Sequence, residues 1–223
     1  MDNIWQFIPQ IRGGLIVSCQ AQSGEPLYGS HYMAAMARAA REAGAVAVRA
    51  ESPRDIQSIK AAVGLPVIGL WKVDYPGSPV YITPTLKEVA AVDATAQQPR
   101  PDSLTAADFI KAIKKNFSVP VMADISTVEE GVKAEAAGAD LVSTTLAGYT
   151  PYSRQLSGPD FTLVQELHAA LKVPVVAEGR IWHPAEAAQA LKLGAHAVVV
   201  GSAITRPQEI ARRFVQALRD PCV

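Results

Sequence analysis

Lys72 closes an apolar run, VIGLWK over residues 67–72, and the segment after it, Val73-Asp74-Tyr75-Pro76-Gly77, must turn sharply. An ammonium group is rarely placed at the end of a buried strand without a reason. Burial lowers a lysine pKa and makes the neutral amine available as a base near neutral pH. Such a lysine could also form a Schiff base, or it could be a snorkelling side chain that pairs with a carboxylate. Glu178 closes a similar run, PVVAEG, and Gly179 permits close backbone approach to a ligand. Its carboxylate could serve as a base, an acid or an acceptor for hydroxyls, or it could pair with Arg180. Arg49 and Asp124 close VAVR and PVMAD. They could pair with each other or orient a substrate. Gln20 closes GLIVSCQ and can both donate and accept, which suits a sugar hydroxyl or amide.

A second group of residues suits an anion. Gly201-Ser202-Ala203-Ile204-Thr205-Arg206-Pro207 follows an apolar run and precedes a helical pattern. Together with Gly179 and Arg180 it supplies small residues and backbone amides where β/α barrels bind phosphate, and Arg206 adds a cation. Metal chemistry has little support. His31, His168, His183 and His196 show no ligand spacing, and neither a GxSxG elbow nor a Walker loop is present.

These residues need a scaffold that gathers strand ends. Apolar runs suited to strands occur at 14–20, 45–51, 66–72, 90–96, 120–126, 140–148, 174–180 and 196–203. That is about eight, the number a (β/α)8 barrel requires. Helical spacing lies between them, as in Met33, Met36, Ala37 and Ala40, and in Val164, Leu167, Ala170 and Leu171. Ser52-Pro53-Arg54-Asp55 and Ser126-Thr127-Val128-Glu129 fit capping boxes, and His183-Pro184 suits a helix start. Gly44, Gly138 and Gly194 each precede Ala and then a strand, as helix stops do. Wholly apolar strands, each followed by a helix, imply a parallel sheet covered on its outside. The rival is a doubly wound open sheet, but the chain has no dinucleotide glycine fingerprint. The expectation is a single (β/α)8 TIM barrel of the phosphate-binding type over residues 1–223.

The expected strands end, in order, in Gln20, Arg49, Lys72, Asp93, Asp124, Thr144-Thr145, Glu178-Arg180 and Gly201-Ser202, whereas they begin with Gly, Ala and Pro. Loop polarity alone should appear at both ends, so this asymmetry marks one mouth as the site.

Composition narrows the partners. The chain has 223 residues, 49% of them apolar, with 21 basic and 21 acidic side chains. That balance suggests neither a nucleic-acid nor a membrane partner. Two cysteines, Cys19 and Cys222, do not make a disulfide framework. The N-terminus lacks a signal-peptide pattern and no window reaches the length of a membrane span, so a cytoplasmic location is expected.

The strand ends resemble one family strongly, the N-acetylmannosamine-6-phosphate 2-epimerases of bacterial amino-sugar and sialic acid breakdown. The carriers are GLIVSCQA (14–21), VAVRAE (46–51), GLWKVDYPGSPVYITPT (69–85), VDATAQQPRP (92–101), MADIS (122–126), TTLAGYTPYS (144–153), VVAEGRIWHPAEA (175–187) and VVVGSAITRP (198–207). The resemblance implies a cofactor-free β/α barrel that interconverts N-acetyl-D-mannosamine 6-phosphate and N-acetyl-D-glucosamine 6-phosphate. It places the catalytic lysine and glutamate on Lys72 and Glu178, substrate contacts on Gln20, Arg49 and Asp124, and a second arginine on Arg206. Gln97-Gln98 departs from the family, which often has an arginine there.

The chemistry so implied is proton transfer at C2. Ring opening makes C1 an aldehyde, loss of the C2 hydrogen gives an enolate-like species planar at C2, and reprotonation on the other face inverts it. Protein groups suffice for this if they stabilise the oxyanion. Lys72 is expected to move the proton, with Glu178 as its acid/base partner or as the group that manages ring opening. The alternatives are a Schiff-base aldolase on the same barrel and a non-catalytic phosphosugar sensor. A homodimer is plausible.

Overall fold

A computed structural model of the protein describes residues 6–78, 80–92 and 104–219. The first half runs α1 (Phe7–Gln10), β1 (Leu15–Cys19), α2 (Ser30–Glu42), β2 (Ala47–Glu51), α3 (Pro53–Ala62), β3 (Val67–Leu70), α4 (Leu86–Val92) and α5 (Ala106–Asn116). The second continues with β4 (Met122–Asp124), α6 (Val128–Ala137), β5 (Leu141–Ser143), α7 (Phe161–Ala170), β6 (Val175–Glu178), α8 (Pro184–Lys192), β7 (Ala197–Val200), α9 (Ser202–Thr205) and α10 (Pro207–Arg219).

The seven strands form one parallel sheet in the order β3-β2-β1-β7-β6-β5-β4. The sheet is strongly curled. Ile68 of β3 and Met122 of β4 come from its opposite ends, yet both join one buried cluster with Ile16, Ala47, Leu141, Val176 and Ala197. That cluster is the barrel interior. Ile11 and Phe7, from α1 and the residue after it, pack against it. His196 binds the carbonyl of Ile8 through Nε2 at 2.7 Å, so the N-terminal segment sits at the strand-start end. The alternate residues, such as Val17, Val48, Val142 and Val198, pack outward against the helices. Burial on both faces is why the strands read as continuous apolar runs.

Seven of the eight expected strands are present, each shorter than its apolar run, and β4 and β5 are only three residues long. The eighth, over 90–96, is corrected in its described part: residues 90–92 close α4, and 93–96 lie outside the described residues. Thr85 and Glu88 account for the helix. The Thr85 amide and hydroxyl both donate to Glu88 Oε2, at 3.0 and 2.5 Å, which satisfies groups in the first turn. The apolar string that follows does not by itself distinguish helix from strand.

Caps behave largely as expected. Ser52 accepts from the Asp55 amide, and Glu186 accepts from the His183 amide. The start of α6 is one residue later than expected. Thr127 is the N-cap and accepts from the Glu130 amide, while Glu130 reaches back to the Ser126 amide at 2.7 Å. Gly138 ends α6 at φ 102°, a conformation that favours glycine.

Candidate active site

Side chains alternate along a strand, so each stave contributes inward residues at a period of two. Ile16, Ala47, Met122, Leu141, Val176 and Ala197 form an apolar layer. Two residues further along lie Ser18, Arg49, Asp124, Ser143, Glu178 and Val199. Ser18, Arg49, Glu178 and Val199 line a cavity of about 270 Å³ that also takes in Gln20, Lys72, Gly201 and Arg206. The polar mouth is therefore the barrel layer directly above the hydrophobic one.

Arg49 occupies the centre and is only 2% exposed. Its guanidinium donates to Asp124 and to Glu178 through different nitrogens. Burial opposes the charge, but the two carboxylates outweigh it and raise the Arg49 pKa, so the group stays cationic. Its Nε is buried without a hydrogen-bond partner among the described residues. Asp124 and Arg49 are thus the partners their positions allowed. The pairing of Glu178 with Arg180 does not form.

Burial raises the Glu178 pKa, opposed by Arg49 and assisted by the neighbouring Asp124 charge. Glu178 can therefore hold a proton at a higher pH than an ordinary carboxyl group. Thr145 ties the cluster together. Its hydroxyl lies 2.6 Å from Asp124 Oδ1 and 3.1 Å from Glu178 Oε2, and it accepts from Arg49 at 3.0 Å. One hydroxyl proton can serve only one of those carboxylates at a time.

Lys72 stands beyond β3 on a bracketed segment. The Val73 amide donates to Tyr81, the Thr83 amide donates to Trp71, and the Trp71 amide donates to the Thr83 hydroxyl. Thr83 adopts φ 45°, uncommon for a residue with a branched Cβ. The Lys72 Nζ donates to Gln20 Oε1 at 2.9 Å, and Gln20 in turn donates to Ser18 Oγ at 2.9 Å. Burial lowers the Lys72 pKa. Glu51 opposes that shift, while Arg49 and Arg206 reinforce it.

Gly179, Arg180, Gly201, Ser202 and Arg206 all line the same cavity. Gly201 is the N-cap of α9, and its carbonyl accepts from the Ile204 and Thr205 amides at 2.8 and 3.0 Å, so the Ser202 and Ala203 amides precede the first bond of the helix. Arg206 pairs with Glu25 at 3.1 Å. Arg180 has φ 57° and donates to the carbonyls of Ala147 and Gly148 at 3.2 and 2.7 Å, with its guanidinium over the Tyr149 ring. It pins the loop that carries Thr145. Asp93 lies outside the described residues, as do Gln97 and Gln98. Ser18, Tyr81 and Tyr149 are among the cavity residues that strand-end reading did not single out, whereas Thr145 was named as one of two polar residues at the end of its strand.

Comparison with known proteins agrees with this geometry. The family described as "Putative N-acetylmannosamine-6-phosphate epimerase" matches residues 33–220. A protein of Caldanaerobacter subterraneus subsp. tengcongensis, named "Putative N-acetylmannosamine-6-phosphate 2-epimerase", is 52% identical, with 96% of this chain and 94% of the relative covered. A protein of the same name from Clostridioides difficile is 48% identical, covering 95% of this chain and 98% of the relative. Among solved structures, the N-acetylmannosamine-6-phosphate 2-epimerase from Clostridium perfringens has a TM-score of 0.89 and 48% identity, covering 94% of this chain and 95% of that one. A more distant likeness, to (S)-3-O-geranylgeranylglyceryl phosphate synthase from Thermoplasma acidophilum, has a TM-score of 0.59 and 18% identity over 95% of each chain, and it speaks to the fold alone. The match over most of the chain shows that it belongs to the N-acetylmannosamine-6-phosphate epimerase family.

Proposed function

We propose that this chain acts, as one domain, as an isomerase that interconverts N-acetyl-D-mannosamine 6-phosphate and N-acetyl-D-glucosamine 6-phosphate at C2. The observation that carries the mechanism is the meeting of Lys72, Arg49 and Glu178 in one cavity, with Gly201, Ser202 and Arg206 lining it as well. In this reading the Lys72 amine, its pKa lowered by burial, takes the C2 hydrogen from the ring-opened sugar and returns a proton. Glu178 is its acid/base partner: its raised pKa suits a carboxyl group that gives and regains a proton at O5 or O1 during ring opening. Arg49, held cationic, favours the negative charge that builds on the enolate. Asp124 keeps Arg49 in position, and Gln20 orients both Lys72 and the substrate. The amides of Gly179, Gly201 and Ser202, with Arg206, anchor the phosphate and fix the reacting end. Arg180 serves that anchor through the loop it holds.

Proton NMR of N-acetylmannosamine 6-phosphate with the protein in deuterated water tests the reading. Inversion should be accompanied by deuterium uptake at C2. Lys72→Ala should fold and lose that exchange; exchange at the wild-type rate in this variant would remove Lys72 from its role. Borohydride trapping on Lys72 with sugar phosphate would favour an aldolase instead.

No helix among the described residues is long and apolar enough to cross a membrane. A cytoplasmic sugar-phosphate enzyme is the reading we adopt. We also propose that it works as a homodimer, since α10 has no buried residue and exposes Phe214, Val215 and Leu218.

A further inference from the structure

Glu51 does not line the cavity that holds the Arg49 cluster but a separate groove that Lys72 also lines, and the mechanism above gives it no task. Its position follows from how β2 ends. The β2–β3 ladder continues as far as Ser52, whose amide donates to the Leu70 carbonyl at 2.8 Å. The next rung would join the Lys72 amide to the Ser52 carbonyl. Ser52 instead turns to φ 70° to start α3, and its carbonyl accepts from the Ile56 amide at 3.1 Å. The Lys72 amide is left without its ladder partner. Glu51 Oε1 accepts from it at 3.3 Å. A carboxylate side chain thus completes the sheet at the residue whose amine faces the substrate cavity.

The two residues also share a second surface. Glu51 and Lys72 both line a groove of about 1060 Å³, between the starts of α2 and α3. The charged and titratable groups that line the groove with Glu51 are Tyr28 from the segment before α2, His31 and Arg38 from α2, Arg54 and Asp55 from α3, and Lys72 itself. Asp55 is held by the Ser30 hydroxyl at 2.5 Å. Arg49, Arg206 and Glu178, which line the other cavity, also act on Lys72.

We propose that Glu51 is a positioning residue for the reaction: it fixes Lys72 through the main-chain amide and supplies the anion that governs how readily the Lys72 amine takes and gives up a proton. This rests on the reading of Lys72 as the proton-transfer group. Physically, burial disfavours the ammonium, and of the charges around it Glu51 is the strongest opposing influence. An amine too weakly basic cannot draw the C2 hydrogen, and one too strongly basic stays protonated. A neighbouring anion sets the balance. Burial raises the Glu51 pKa, and the Lys72 amide and ammonium oppose that rise.

The test is the pH dependence of Lys72 labelling by acetic anhydride, read by peptide mass spectrometry, together with the pH profile of C2 exchange. Glu51→Gln keeps an acceptor for the Lys72 amide and removes the charge. Its Lys72 labelling midpoint should fall by on the order of one pH unit, and the acid limb of kcat/KM should move down with it. Glu51→Asp, whose carboxylate is withdrawn by one methylene, should shift the midpoint the same way by less. It carries the test if the glutamine variant does not fold. Asp55→Asn removes the neighbouring anion that acts on Glu51, and the midpoint should not fall. An unmoved midpoint in the folded Glu51 variants would overturn the inference, as would an equal fall in Asp55→Asn. A midpoint shift on Glu51→Gln, with a wild-type protein that never exchanges the C2 hydrogen, would instead overturn the epimerase reading and leave the Glu51–Lys72 coupling standing.

Discussion

At the residue scale the site is a shared-charge problem. One guanidinium serves two carboxylates in a layer where Asp124 is fully buried and Arg49 nearly so. Removing one partner of such a group leaves an uncompensated buried charge, which costs about 3–5 kcal/mol. Arg49→Met should therefore lower stability by about that amount in urea unfolding, beyond any loss of activity, because Asp124 and Glu178 then lose the cation they share. Thr145 makes a finer prediction. Thr145→Val preserves the shape and removes the hydroxyl that links Asp124, Glu178 and Arg49. A hydrogen bond to a charged group contributes about 1.5–3 kcal/mol, so kcat should fall by roughly tenfold to a hundredfold. KM should change little, since the phosphate anchor is untouched. Sequence reading placed the ionisable members at strand ends; Asp124 and Glu178 do close β4 and β6, whereas Arg49 lies two residues before the end of β2. The same reading could not choose between Thr144 and Thr145. Only the turn after β5 decides that Thr144 goes to the main chain of Glu178, at 2.8 and 3.0 Å, while its neighbour goes to the carboxylates.

At the element scale, the loops after strands do the positioning. The 144–150 loop is held by Arg180, and Gly148 is what allows Arg180 in. Gly148 has φ 74°, and a Cβ there would fall 1.7 Å from Arg180 Nη1. Gly148→Ala should displace the guanidinium and loosen the loop. Both the C2 exchange rate and the affinity for sugar phosphate should decline, as read by NMR exchange and calorimetry, and the strained φ should add a stability cost on the order of 1 kcal/mol. The elements themselves were largely legible. Two-sided burial made seven strands visible as apolar runs, and Ser52 and His183 marked where helices start. The misreading at 90–92 has a definite cause. Val89, Ala90, Ala91 and Val92 are apolar or small and suit either a strand or a helix, and the Thr85–Glu88 cap that decides the matter lies upstream of the run. Glu51 was hidden for a related reason. A carboxylate at a strand end reads as a stop until the helix after it is seen to take the Ser52 carbonyl away from the ladder.

At the scale of the whole molecule, the barrel mouth is arranged for catalysis and the last helix is not yet accounted for. α10 carries apolar residues on one side, Ile210, Phe214, Val215 and Leu218, yet none of its residues is buried. Phe214 is 69% and Leu218 80% exposed. Its contact with the barrel includes Arg213 stacked on the Trp182 ring at 4.2 Å, which uses the charged side. A helix so amphipathic ordinarily buries its apolar stripe. Contiguous exposed apolar surface of this kind marks an association site. A second copy presents the same stripe, and two-fold pairing of identical surfaces is the commonest way to cover one. The homodimer reading therefore predicts a single species of twice the chain mass in sedimentation equilibrium at micromolar concentration. Phe214→Glu with Leu218→Glu places two like charges per chain in the contact and should yield monomers. Because neither residue lines the substrate cavity, a fall in C2 exchange on dissociation would show that pairing supports α9 and Arg206, which lie just before the helix. A wild-type protein that sediments as a monomer at every concentration would end the homodimer reading.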